Sequence, residues 1–203
     1  MTQSNRILST YSFLYCILSF FSVCFYALNG DSKEISFEDK IKAINVEVVE
    51  SYPESDLLKS ATFNEIFCNP KKNIYEVLKL LSKDNINDWQ KRIAALSMQN
   101  LPLEDYLIFI TKLLNLRKKE KISKELFFMV TFPGHDWNTT IQENYNDVNV
   151  RKVLNEIKYS PAVGDDVKEY VDMILTGELF DHIYLLKKVG QLPPAKPADK
   201  VCK

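Results

Sequence analysis

Residues 103–116 read Leu-Glu-Asp-Tyr-Leu-Ile-Phe-Ile-Thr-Lys-Leu-Leu-Asn-Leu, directly after Pro102. Leu103, Leu107, Ile110 and Leu114 fall on one helical stripe, and Tyr106, Phe109, Leu113 and Leu116 on a second. A helix that is apolar on two faces belongs in the middle of a structure, covered from both sides. Helical spacing recurs outward from it. Upstream, Ile74, Val77, Leu78 and Leu81 follow the i, i+3, i+4, i+7 rule; downstream, so do Val150, Val153, Leu154 and Ile157, and Val167, Tyr170, Val171 and Ile174. Ile122, Leu126 and Val130 continue the pattern after a basic turn at Lys118 to Lys121.

The remaining segments read as helices with marked ends. Phe37, Ile41, Ile44 and Val48 are spaced for a helix, with Ser36 and Asp39 forming a variant capping box. Within this stretch Val46 to Val49 also alternates like a short strand, and Pro53 ends it. Ser55 is expected to open a segment that runs to about Phe67 and closes at Asn69-Pro70. Asp88, with Asn87, caps a helix carrying Trp89, Ile93 and Leu96. A last helix over about 178–189 ends at Gly190. The gaps are short, which favours antiparallel neighbours, and no strand–helix alternation appears. The expectation is an all-α fold: an irregular antiparallel helical stack or a helical bundle.

Charge divides the chain. Across 203 residues there are 26 basic and 27 acidic side chains, a formal charge of −1, which gives no polybasic field for nucleic acid. Arg6 is the sole charge before Asp31; without it the basic count is 25 against 27 acidic, all in the body. From Ile7 to Gly30 the sequence is uncharged and dense in large apolar groups. One cation followed by such a run predicts export, as a cleaved signal peptide over 1–30 with Leu28-Asn29-Gly30 before the cut. The alternatives are an uncleaved anchor crossing the membrane through residues 7–28 and lipid attachment at Cys24. Each places residues 31–203 in the periplasm or another extracytoplasmic space. A helical domain over 31–192 and an extended Pro-rich tail over 193–203 complete the expected organisation. In an oxidising compartment the two body cysteines, Cys68 and Cys202, are candidates for a disulfide that would pin the tail to the front of the domain.

Asp88 to Leu96 can be laid over Asp147 to Leu154: each has Asp, Arg four residues later, then apolar residues. Asp can cap a helix, and Arg one turn on can pair with it or with a neighbouring layer. This pattern resembles the second helix of HEAT or armadillo-type repeats, over roughly residues 75–190, and implies helix pairs stacked into a solenoid. The 59-residue offset exceeds one repeat of about 40–47 residues, so any stack is irregular.

Little points to catalysis. No metal-ligand cluster, nucleophile elbow, phosphate loop or dinucleotide fingerprint is present, and no cofactor is implied. The segment Phe132-Pro133-Gly134-His135-Asp136-Trp137-Asn138 is the one stretch with Pro-Gly turn chemistry beside a titratable pair and a Trp. Phe132, His135, Asp136, Trp137 and Asn138 are therefore the candidate partner contacts, with the basic turn Arg117 to Lys119 second. His182, among Leu179, Phe180 and Ile183, reads as a helix residue. Asp165-Asp166 and Glu104-Asp105 read as favourable charges at helix N-termini. The expected function is an exported helical protein-binding module. Its narrower form is an immunity-type inhibitor of an envelope-acting toxin or hydrolase, by analogy with small exported bacterial proteins of that kind. The alternatives are an envelope enzyme with a site between helices and a membrane-anchored structural protein.

Overall fold

The computed structural model describes residues 35–44, 57–132, 140–178 and 201–202. The expected leader over 1–30, Val46 to Pro53, residues 133–139, the expected helix over about 178–189 beyond its first residue, Gly190, and 193–200 lie outside the described residues. Among the described residues there are nine helices and no strand. They are α1 (Phe37–Lys42), α2 (Ala61–Phe67), α3 (Pro70–Leu81), α4 (Asp88–Leu96), α5 (Leu103–Lys118), α6 (Lys124–Thr131), α7 (Thr140–Glu143), α8 (Val148–Lys158) and α9 (Asp165–Thr176). The all-α expectation holds, and no described helix is long and apolar enough to cross a membrane.

Local chemistry sets the helix starts. Ser36 Oγ accepts from Asp39 N at 3.1 Å, Ser60 Oγ from Phe63 N at 3.2 Å, and Ser123 Oγ from Leu126 N at 3.1 Å. Ser60 caps α2; Leu58 and Lys59 before it form a turn, with Asn64 Nδ2 donating to Leu58 O at 2.8 Å. Ser55, expected to open this segment, lies outside the described residues. Asn69-Pro70 does more than close α2: Pro70 is the first residue of α3, where its missing N–H costs nothing.

Packing makes α5 central, as its two stripes require. It lies against α3, α6 and α8, and Tyr106, Phe109, Ile110, Leu113 and Leu114 are all buried. Successive helices also pair, α3 with α4, α5 with α6 and α8 with α9, while α4 touches α6. Chain order therefore alternates between two layers. One contains α3, α5 and α8; the other contains α4 and α6, with α9 joined through Tyr170, whose ring lies 5.7 Å from Phe128 and 5.1 Å from Phe132. At the front, α1 packs on α2 and α4, and α2 on α3, with Phe63 and Phe67 stacked at 5.6 Å. Each large apolar side chain buried this way contributes about 1.5–3 kcal/mol of transfer free energy.

Cations tie the layers at their turns. Lys91, 5% exposed on α4, donates to Lys121 O at 2.7 Å. Arg117 on α5 donates to Ala162 O at 3.0 Å and Ile122 O at 2.6 Å, and Arg151 on α8 donates to Leu175 O at 3.1 Å. Each satisfies a carbonyl that no helix pairs, in a connection for Lys91 and Arg117 and in the last turn of α9 for Arg151. Cys68, at the end of α2, forms a disulfide with Cys202 across a sequence separation of 134. The chain end is thus fixed to the front of the helical body, with Val201 and Cys202 packed against the core.

Candidate functional site

Of the segment Phe132 to Asn138, Phe132 alone is among the described residues. Phe132 is 5% exposed, and its N–H donates to Phe128 O at 2.9 Å beyond the last turn of α6. It joins Phe128 and Tyr170 in an aromatic cluster between α6 and α9. His135, Asp136, Trp137 and Asn138 lie outside the described residues.

Directly beneath that root is a buried polar network. Tyr106 Oη meets Gln99 Oε1 at 2.9 Å and Val130 O at 3.0 Å, while Gln99 Nε2 donates to Val130 O at 2.8 Å. Burial pushes the Tyr106 phenol above its ordinary range, outweighing the opposing bond to Gln99, so it serves as a neutral donor. The network fixes the end of α6 and so the point from which residues 133–139 depart.

Of the second candidate, Arg117 is engaged in its two carbonyl bonds, whereas Lys118 and Lys119 are exposed at the end of α5. Lys119 belongs to a surface feature that the sequence did not disclose. Two grooves flank α5 on the outer side of the α3–α5–α8 layer. The groove between α5 and α8 has a volume of about 420 Å³, with Leu107, Ile108 and Val153 in its walls beside Glu104, Lys112, Lys152 and Glu156. The groove between α3 and α5 has a volume of about 370 Å³ and is lined by Leu78, Lys112, Asn115, Leu116 and Lys119. Lys112 stands on the ridge between them. Among the described residues, Glu104, Lys112, Lys119, Lys152 and Glu156 have no ion-pair partner, although most neighbouring charges do.

The same layer carries three exposed apolar side chains, one on each helix. Tyr75 on α3 is 72% exposed, Ile108 on α5 is 55% exposed, and Val148 on α8 is 75% exposed. Ile108 belongs to neither stripe of α5; it stands on a third, otherwise polar face with Glu104, Thr111, Lys112 and Asn115. That misplaced apolar residue was the available signal. Two carboxylates, Glu104 and Glu156, line the α5–α8 groove beside Lys112 and Lys152, while the α3–α5 groove is lined by no carboxylate or histidine; among the described residues no three His, Cys, Asp or Glu side chains converge as a metal site would need. What this face can do chemically is bury apolar groups between charges of both signs. A scan against protein-family models, a search of curated proteins and a search of solved structures each return no match to this chain.

Proposed function

We propose that the chain is an exported protein-binding module whose helices form an irregular, antiparallel, HEAT-like stack. The observation that carries this reading is the outer face of the α3–α5–α8 layer, which leaves Tyr75, Ile108 and Val148 in solvent beside two apolar-walled grooves. Unpartnered apolar groups rimmed by charge are the usual composition of a surface that another macromolecule covers. The alternation of helices between two layers supports the stacked arrangement over a simple bundle. Mixed charge in the α5–α8 groove favours binding over the alternative of an envelope enzyme with a site between helices.

Export rests on the apolar, singly charged stretch before Asp31, and the Cys68–Cys202 bridge accords with an oxidising compartment. The partner class is a protein of the envelope, and the narrower reading is an immunity-type inhibitor of an envelope-acting toxin or hydrolase. Residues His135 to Asn138 are proposed as a second contact; Phe132, buried against Phe128 and Tyr170, is instead the anchor of that segment. Affinity capture from periplasmic extract tests the reading. The bridged protein should retain one stoichiometric envelope protein, and Trp137→Ala should lose it with unchanged helicity. Failure to retain any protein in stoichiometric yield from hosts that encode the gene would sink it.

A further inference from the structure

We infer that the groove between α3 and α5 takes an acidic amphipathic helix of the partner protein; the inference rests on the protein-binding reading above. Its floor is apolar, made by Leu78 of α3 and Leu116 of α5, both only partly covered by the core. Its polar lining is Lys112, Asn115 and Lys119, and no carboxylate takes part. The neighbouring carboxylates are otherwise placed. Glu104 and Glu156 line the α5–α8 groove, Glu76 pairs with Lys79 at 3.6 Å, and Asp105 pairs with Lys71 at 2.6 Å. Glu120, next to Lys119 in sequence, is itself a left-handed residue at φ 57° and is not among the residues lining the groove.

Two unpaired ammonium groups over an apolar floor specify the chemistry of what fits. Lys112 and Lys119 stand seven residues apart, which along a helix is about 10 Å. A partner helix meets that span with carboxylates at i and i+7, and its leucines at i+3 and i+4 then fall on the same face, over Leu78 and Leu116. Asn115, between the two lysines, supplies a neutral hydrogen-bonding group midway. The positive rim would also speed encounter with a negatively charged partner and would do so less at high salt.

The test uses the full, bridged protein and a fluorescein-labelled 14-residue peptide with two Glu seven positions apart and two Leu between them. A second peptide carries Lys in place of both Glu. The acidic peptide should bind at least tenfold tighter than the basic one at low salt, and should weaken when sodium chloride is raised from 50 to 500 mM. Lys112→Glu combined with Lys119→Glu should cost about tenfold, with the neutral Lys112→Gln, Lys119→Gln pair intermediate and thermal midpoints unchanged. Lys152→Glu, confined to the other groove, should stay within twofold. Equal binding of the two peptides, or an equal loss in Lys152→Glu, overturns the assignment. So does lysine-dependent binding to phosphatidylcholine–phosphatidylglycerol vesicles without peptide binding, which would make the rim a membrane contact. The two readings fail separately. A native partner retained equally by the Lys112→Glu, Lys119→Glu protein overturns the groove alone, whereas peptide binding without any retained partner overturns the broader function alone.

Discussion

Glu38 shows how one partly buried carboxylate can join separate parts of the chain. It accepts from Lys42 Nζ at 2.6 Å within α1 and pairs with Lys83, two residues beyond α3. These two bonds hold its carboxyl well below the ordinary range, from 4.5 to about 2. Lys121 lowers Asp84 and Lys168 lowers Asp165 in the same way. A carboxylate whose folded pKa is depressed stabilises fully above its unfolded value, and the contribution disappears as pH falls through the folded one. The thermal midpoint should therefore stay flat from pH 7 to 5 and drop between about 4.5 and 2, and Glu38→Gln should flatten that drop. An unaltered acid profile in Glu38→Gln would count against the pairing. These pairings were not legible in the sequence. Lys91, Arg117 and Arg151 were hidden for one reason: each has a backbone-carbonyl partner 24 to 45 positions away, brought close only by folding.

Helices were the legible scale, because a periodic apolar stripe records which face is buried whatever covers it. Val150, Val153, Leu154 and Ile157 are buried in α8, and Val167, Val171 and Ile174 in α9, where the spacing placed them. Ends were less secure, since neighbouring residues compete for one cap. Asn87 is the N-cap of α4, accepting from Gln90 N at 2.8 Å, and Asp88 is already helical. Asp147 is a true cap, accepting from Asn149 N at 2.8 Å and Val150 N at 3.1 Å. The Asp-to-Arg echo therefore aligns residues with different duties, on helices from different layers. Asn87→Ala and Asp147→Ala should each cost about 1 kcal/mol, and Asp88→Ala only a few tenths, in urea unfolding. Equal losses at Asn87 and Asp88 would contradict the assigned cap. Gly177 marks another missed end: at φ 81° it closes α9, and a Cβ there would meet the Tyr145 ring at 3.1 Å. Ile108 stayed hidden because the two strong stripes of α5 drew attention from its third face.

For the molecule as a whole, the fold class followed from the sequence, but the layer that bears the candidate surface did not. Which helices stand side by side depends on connections whose direction no apolar spacing encodes. The cysteine pairing was within reach because only two cysteines remain after residue 30. In the chain-entropy account, a bridge over this separation removes about 5 kcal/mol of unfolded-state freedom. Cys68→Ser, Cys202→Ser protein should lose about 2–5 kcal/mol in urea, and wild type under reductant should match it. A reduced protein as stable as the oxidised one would show that the bridge does not constrain unfolding. The same bond also decides how the protein bears load. Tension applied between the two ends of the chain enters near Cys202, crosses the bridge and continues from Cys68 toward α1. Among the described helices α1 and α2 alone lie on that path, so α3 to α9 are shielded from a pull on the termini while the bond is intact. Cutting the bond would put α3 to α9 in the load path, where their unfolding would pay out roughly 450 Å of chain, so the oxidised protein is a short tether carrying an unstressed body.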